Sequence, residues 1–328
     1  MNVFSSILRS VRILPQKKQL NFFVHVPKTA GTSFRDSLES NTCVISDYGD
    51  SRPQTSDIVQ KWAYVKNDIY SLQQHIETKT SWLCGHVWLT KYSGLVPAEN
   101  IATIVREPIE RVISHYSHEM RWGMSDNMDL ETFLRSSQAK NTQSRYLAGV
   151  PISLIGAVGI TEDYENSLKL INHQFNTTLS NTLKNVNEDK ARLRDALPQS
   201  AIQRIIEQNQ KDIALYDQAK ALQSQRLNFL EKGLPWTYMY AHVNERNEVS
   251  GIVFRSNNTS PISVRLYREN TILFDGEAAQ YTSEFPDMNF SRGRYVGFTV
   301  KLTPSQLKTS EPFKLQCKDT LQTFYFNK

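Results

Sequence analysis

The stretch from Asn21 to Ser33 limits what this chain can fold into more than any other. Asn21-Phe22-Phe23-Val24-His25-Val26 is a short β-rich run that Pro27 ends. Lys28-Thr29-Ala30-Gly31 then leads into Thr32 to Ser40, a segment with Phe34 and Leu38 on one helical face. A strand that turns through small residues into a helix points the helix's first N–H groups, and its positive dipole end, at whatever lies in front of them. Ala30 and Gly31 allow close approach by an anion, Thr32 and Ser33 add hydroxyl donors, and Lys28 adds a mobile positive charge. This is the chemistry of a phosphate loop. It is not a Walker A loop, because the lysine precedes the glycine instead of following it, and no G-x-G-x-x-G is present to support a dinucleotide fold. Taken alone, the segment also reads as an ordinary helix start capped by Thr32 or Ser33.

The same pattern occurs again further on. Ile101 to Val105 reads as a strand ending at Arg106, and Pro108 suits the first position of a helix running to about Arg121, with Glu107 and Glu110 near its positive end. Ser114 lies on that helix. Strand, anion-friendly loop and helix, twice over, predict an α/β fold: a P-loop-like three-layer domain with a central parallel sheet. Residues 160–232 read as mostly helical. After about residue 245 the texture changes to short β-type runs split by Asn, Gly and Pro: Val249–Arg255, Ile262–Tyr267, Thr271–Phe274, Tyr295–Leu302, Phe313–Lys318 and Leu321–Phe326. These predict a small C-terminal all-β sandwich. The expected division is a basic N-terminal tail over 1–20, an α/β domain over 21–240 and a β-sandwich accessory domain over 246–328.

Charge narrows the classes of partner. The net charge is +5, but Arg9, Arg12, Lys17 and Lys18 concentrate much of it in a tail without acids, and the central region is close to neutral. That argues against a nucleic-acid surface and requires any anion site to be local. The tail's apolar positions are interrupted by Arg9 and Arg12, which makes a poor signal-peptide core. It reads either as a partly ordered terminus or as a short interfacial helix in weak contact with a membrane surface. Three widely spaced cysteines, Cys43, Cys84 and Cys317, make neither a zinc pattern nor a disulfide framework, which fits a reducing cytoplasm. His115 and His118 share a helix face without an acidic partner pattern, so no metal is expected.

Phe23-Val24-His25-Val26-Pro27-Lys28-Thr29-Ala30-Gly31-Thr32-Ser33-Phe34 resembles the 5′-phosphosulfate loop of carbohydrate sulfotransferases of the heparan sulfate 2-O-sulfotransferase type. Ile104-Val105-Arg106-Glu107-Pro108-Ile109-Glu110-Arg111-Val112-Ile113-Ser114-His115-Tyr116 is similar to that family's 3′-phosphate motif, and Cys84-Gly85-His86-Val87 to its segment bearing the catalytic histidine. Asn141-Thr142-Gln143-Ser144-Arg145-Tyr146-Leu147-Ala148-Gly149 and the later Asn209, Asp212 and Leu215-Tyr216 are similar to stretches of bacterial members. The resemblance covers roughly residues 21–240.

The resemblance implies a sulfuryl transfer from 3′-phosphoadenosine-5′-phosphosulfate (PAPS) to a hydroxyl of a carbohydrate or glycoconjugate. Lys28 would stabilise the departing 5′-phosphate, Thr29, Ala30, Gly31, Thr32 and Ser33 would hold it, Arg106 and Ser114 would hold the 3′-phosphate, and His86 would be the general base. An imidazole suits that task at neutral pH; His25, His115 and His118 are weaker candidates. The chain departs from the family where Cys84 replaces the first of two histidines flanking the glycine. The Golgi anchor of animal members is missing, which suggests a bacterial cytoplasmic enzyme, peripheral at the inner membrane face if the tail binds there. The alternatives are a nucleotide-dependent kinase and a non-catalytic glycan-binding protein on the same fold.

Val264-Arg265-Leu266-Tyr267, Phe274-Asp275-Gly276, Glu284-Phe285-Pro286-Asp287 and Gly297-Phe298-Thr299-Val300 resemble a small β-domain appended to bacterial glycosyltransferases and related enzymes. Its aromatics read either as sandwich core or as a platform for a sugar.

Overall fold

Phe22, Phe23 and Val24 are all fully buried, although neighbouring residues of a strand point to opposite faces. The computed structural model gives the reason: β1 (Leu20–Val24) is the middle strand of a five-stranded parallel sheet in the order β2-β3-β1-β4-β5. Its neighbours are β2 (Cys43–Asp47), β3 (Ser81–Gly85), β4 (Ile101–Val105) and β5 (Ala157–Ile160). A parallel strand covered by helices on both faces reads as a continuous apolar run, as Phe22 to Val26 does, interrupted only by His25. The described residues are 20–76, 81–122, 129–181, 194, 197–308 and 310–328. The basic tail and its membrane contact therefore lie outside them, save for Leu20.

The helices fall into layers. α1 (Gly31–Glu39) brings Phe34 and Leu38 against Phe23, Trp82 and Ile104 on one face of the sheet. α2 (Ile69–Ile76) covers the other face with Leu72 and Ile76. α3 (Pro108–Trp122) follows β4 and packs with α4 (Leu130–Arg135) and, through Ala201 and Ile205, with a later helix. α5 (Thr142–Tyr146) is short. α6 (Tyr164–Phe175) joins α1 on the first face, with Leu168 and Ile171 inward. α7 (Gln199–Gln208) joins the α3–α4 group, and α8 (Gln210–Glu231) sends Ala219 and Phe229 to the second face. Truncating a fully buried phenylalanine such as Phe22 in this core costs about 3–5 kcal/mol.

The C-terminal part is two antiparallel four-stranded sheets. One runs β10 (Gln280–Tyr281), β11 (Tyr295–Lys301), β7 (Glu248–Phe254), β6 (Tyr238–Val243); the other runs β13 (Thr323–Phe326), β12 (Phe313–Cys317), β8 (Ile262–Arg268), β9 (Thr271–Ala278). Val249, Val253 and Phe298 of the first sheet meet Val264, Leu266 and Leu315 of the second, which makes the sandwich.

Two features differ from the sequence reading. The antiparallel part begins at Tyr238, not at 246: β6 pairs with β7 along its whole length, and the turn between them is held by the Asn244 side chain, which accepts from the N–H groups of Arg246 and Glu248. A boundary at 240–246 cuts a hairpin. The sandwich also lacks a core fully its own. Tyr238, Ile252 and Phe254 turn away from the sandwich interior and join Trp236, Met288 and Phe290 in the same core as Phe22, Leu83 and Val105. Hydrogen bonds stitch the junction, with the Ala98 N–H donating to the Asn289 carbonyl at 2.9 Å and the Ser93 hydroxyl to the Asp287 carbonyl at 2.7 Å.

Candidate functional site

The carboxyl ends of β1, β3, β4 and β5 open onto one cleft of about 1370 Å³. Lys28, Ala30, Gly31, Thr32 and Ser33 line it from β1 and α1, His86 from β3, and Arg106 and Ser114 from β4 and α3. Ligands of open α/β sheets bind in this kind of crevice. Thr29 is the exception among the singled-out residues. It is fully buried, and its hydroxyl donates to the Val26 carbonyl at 2.9 Å, so it braces the loop from below.

The loop achieves its turn with two residues in left-handed conformation, Lys28 (φ 71°) and Ala30 (φ 65°). No glycine relieves the strain at either position. Ala30 is the N-cap of α1, and among the described residues no side chain caps the helix and no acid occupies its first turn. The capping by Thr32 or Ser33 that the bare sequence allowed is absent, which leaves the helix start without a competing side-chain acceptor.

Gly31 answers to a specific neighbour. A Cβ there would stand 2.0 Å from Cδ2 of His25, whose ring lies directly beneath the loop. His25 is almost wholly buried and shares a 2.9 Å hydrogen bond between Nδ1 and the Tyr48 hydroxyl. Burial, and then the charges of His86, Arg35 and Lys28, hold its pKa well below the usual histidine value. It is therefore a neutral packing element, placed 4.1 Å from the ring of His86.

His86 carries its proton on a defined nitrogen. Nδ1 lies 2.7 Å from the His25 carbonyl oxygen, which can only accept, so Nδ1 bears the hydrogen and Nε2 keeps its lone pair. Burial lowers the pKa of His86; its bond to the His25 carbonyl opposes this, and the Lys28 and Arg35 charges add to it. The ring is thus neutral at pH 7 with a basic Nε2. Gly85, just before it, is glycine because a Cβ would lie 1.9 Å from the Asp47 carbonyl of the adjoining strand. Cys84 is fully buried among Phe23 and Phe34, and burial pushes its thiol up to about 12, so it supplies no base.

Arg106 is held by both ends. Its backbone N–H donates to Oε1 of Gln143 at 2.8 Å, and its carbonyl accepts from Nε2 of the same amide at 2.7 Å. Its guanidinium reaches the Lys28 carbonyl at 3.5 Å and stands 3.6 Å and 3.7 Å from carboxylates of Glu110 and Glu162. Nε is buried with no hydrogen-bond partner among the described residues. The fork thus lies beside the loop, held by long contacts to two carboxylates rather than by short hydrogen bonds. Ser114 is buried in the cleft wall nearby.

Gln143 is in turn fixed by two helix starts that cap each other. Asp212 accepts from the N–H groups of Gln143 and Ser144, and Asn141 accepts from those of Lys211 and Asp212. Asn209 accepts from Asn141 N–H at 2.8 Å and donates to the Ala139 carbonyl. The Asn141–Gly149 stretch and the Asn209–Asp212 pattern are therefore one device that buttresses Arg106. Sequence reasoning noted both as motifs without linking them, because the bonds join residues far apart along the chain.

His115 lies on the cleft but is committed elsewhere. Nδ1 is 3.3 Å from the Arg111 guanidinium and Nε2 is 3.4 Å from Glu119, and burial, then Arg111, takes its pKa down to about 3. His118 is also lowered, by burial and then by Lys28. Among the described residues no three His, Cys, Asp or Glu side chains converge on a possible metal site, and no helix is long and apolar enough to cross a membrane.

No family model matches the sequence, and no curated protein matches it. Solved structures with similar shape include a sulfotransferase from Alicyclobacillus acidocaldarius, at 14% identity and TM-score 0.33, covering 58% of this chain and 95% of that one. Another is mouse sulfotransferase SULT7A1 complexed with PAP, at 12% identity and TM-score 0.41, covering 65% of this chain and 90% of that one.

Proposed function

We propose that the protein is a PAPS-dependent sulfotransferase acting on a hydroxyl of a carbohydrate or glycoconjugate. The observation that carries the reading is that two anion-binding features 78 residues apart, the Lys28–Ser33 loop and Arg106, border one cleft, with a neutral histidine on its wall.

The residues fit such a donor. The uncapped, acid-free start of α1 suits a 5′-phosphate, and the Arg106 guanidinium, whose buried Nε makes no hydrogen bond among the described residues, suits a second phosphate beside it. Ser114 adds a hydroxyl on the same side. The donor supplies an activated sulfuryl group and a bisphosphate leaving group. His86 Nε2 takes the proton from the acceptor hydroxyl as it attacks, and the Nδ1–H bond to the His25 carbonyl stabilises the imidazolium formed. Lys28 neutralises charge developing on the leaving oxygen, and the N–H groups of Gly31, Thr32 and Ser33 hold the phosphate in line. A kinase is disfavoured by the reversed lysine–glycine order and the lack of a magnesium carboxylate pattern.

Calorimetry with adenosine 3′,5′-bisphosphate, AMP and ATP tests the reading. The bisphosphate should bind at least tenfold tighter than AMP, since a charge-assisted contact contributes about 1.5–3 kcal/mol. Equal affinity for bisphosphate and AMP, or preference for ATP, would remove its basis.

A further inference from the structure

His86 borders two hollows. One is the large cleft already described. The other, of about 340 Å³, is lined by His86, Val87, Trp88, Thr90 and Lys91, and His86 is the one residue common to both walls. We propose that this second hollow is the acceptor subsite, that Trp88 is its platform, and that its ligand is an uncharged sugar ring. The proposal rests on the reading of the cleft as the donor site, and it adds where the acceptor sits and what chemistry selects it.

Position comes first. A base that serves an acceptor on one side and faces a donor on the other must lie where their two spaces meet, and His86 lies there. The chemistry of the lining comes second. The indole of Trp88 is 66% exposed, although it follows three buried or half-buried neighbours at a strand end. A large flat apolar surface held in the open in a hollow that His86 also lines matches the C–H face of a pyranose, whose hydroxyls then project from the ring edge. Trp88 lies in extended conformation at the head of a short helical turn over Leu89–Lys91, and Leu89 is fully buried beneath it, so the platform stands on fixed backbone.

The charge balance excludes a polyanion. Lys91 is the one formal cation of the lining, and its ammonium is committed. It lies 2.6 Å from the fully buried carboxylate of Asp47, donates to the Tyr64 hydroxyl at 2.8 Å and sits 4.3 Å over the Tyr64 ring. Tyr64 and Tyr92 donate to the same carboxylate at 2.7 Å and 2.6 Å. Withdrawing Lys91 to meet a sulfate or uronate would leave Asp47 buried without its counter-ion, a strongly unfavourable exchange. Val87, Trp88, Thr90 and the neutral His86 add no positive charge.

The experiment offers radiolabelled PAPS with a panel of neutral oligosaccharides (lacto-N-tetraose, maltopentaose, mannopentaose) and anionic polymers (heparosan, chondroitin). Label should pass to a neutral member. With that acceptor, Trp88→Ala should raise KM at least tenfold while the Kd for adenosine 3′,5′-bisphosphate stays unchanged, and Trp88→Phe, which retains a ring, should recover most of the loss. Independently of turnover, titrating the neutral acceptor into bisphosphate-loaded protein should change the tryptophan emission saturably, and Trp88→Phe should abolish that change. Transfer to the anionic polymers alone, no transfer to any neutral member, or an acceptor KM indifferent to Trp88→Ala would each overturn the assignment. Failure to bind the bisphosphate at all would instead overturn the donor reading on which it rests.

Discussion

The side-chain amide of Gln143 spends both its donor and its acceptor on the backbone of Arg106, at 2.7 Å and 2.8 Å, one residue beyond the end of β4. Gln143 is fully buried, so neither bond is exchanged for water at low cost. The amide continues the strand's hydrogen bonding by one residue and sets the direction in which the Arg106 side chain leaves the sheet.

Gln143→Ala should therefore act on phosphate recognition although it touches no ligand. Leaving a buried N–H and C=O unpaired costs about 1–3 kcal/mol each, so the variant should melt earlier. It should also lose affinity for adenosine 3′,5′-bisphosphate by about tenfold or more while AMP binding changes little. Gln143→Glu should behave similarly, because a carboxylate cannot donate to the Arg106 carbonyl. A variant that melts earlier but keeps the full ratio of the two affinities would reduce Gln143 to a structural role.

Gly31 and His25 make a steric pair. Gly31→Ala would drive a methyl to within 2.0 Å of the His25 ring, which itself rests against His86. Donor affinity and turnover should both fall more than tenfold in that variant. His25→Ala placed on top should restore part of the donor affinity, because the clashing atoms are gone. Calorimetry on the single and double variants would show the coupling. A single variant that binds the bisphosphate normally would mean the loop can shift away at little cost.

How much was legible in the sequence follows from the range of the interactions involved. The loop and the start of α1 could be read from Asn21–Ser33 because each determinant lies within a dozen residues of the next. The same holds for Pro108 opening α3, where Glu107 accepts from the Glu110 N–H at 2.7 Å. Arg106 and Lys28 could be paired only through the resemblance, since nothing local says that two loops share a cleft. Gln143, Asn141 and Asp212 were visible as motifs and mute as mechanism. β6 was hidden because Tyr238–Val243 follows directly on a long helix and its pairing partner comes after a tight turn. The alternation along β7 showed a strand but not that both of its faces would be covered, Val253 by the second sheet and Ile252 by the α/β core.

That shared core changes what a truncation should do. Taken as an independent module, residues 246–328 look dispensable for donor binding, because every donor motif lies earlier. In the fold, removing them strips the partners of Tyr238 and exposes apolar surface beside Phe22 and Val105. A chain ending at 245 should be largely insoluble or molten, with loss of near-ultraviolet circular dichroism and of a cooperative melt. A soluble, cooperatively folding truncation would show that the α/β core closes without it.

Of the four cleft histidines whose pKa is lowered, the three more deeply buried ones, His25, His86 and His115, contribute most to acid sensitivity of the fold. For His25, His86 and His115 the folded pKa lies below the unfolded value near ~6.5. Between the two values the unfolded chain binds more protons, so stability is fully present above about pH 6.5 and declines as pH falls through that window. For His115 the window reaches down to about 3. Each histidine still neutral in the fold removes up to about 1.4 kcal/mol per pH unit. Urea midpoints measured from pH 8 to 4 should be flat above 6.5 and fall below it, and His115→Gln should shallow the slope. A midpoint that falls instead from pH 8 would place the lability in other groups.

The same direction of shift sets the pH dependence of turnover and separates His86 from Lys28. With the folded pKa of His86 below 6.5, the base stays deprotonated across neutral pH, and kcat should decline only on the acid side of that value. His86→Ala should lower turnover by roughly 10²–10⁴, the span of general acid–base catalysis, and should erase the acid limb. Its effect on donor affinity should be small, because in the proposed mechanism Nε2 serves the acceptor. Lys28→Ala should lower turnover too, but it should also weaken the bisphosphate and keep the acid limb, since His86 still titrates there. Its limb should move to higher pH, because the Lys28 charge is one of the influences that hold the His86 pKa down. Initial rates from pH 5 to 9 for the three proteins, with bisphosphate Kd values alongside, decide the matter. A His86→Ala enzyme that keeps wild-type turnover, or a Lys28→Ala enzyme whose limb stays where it was, would break the division of labour between the two.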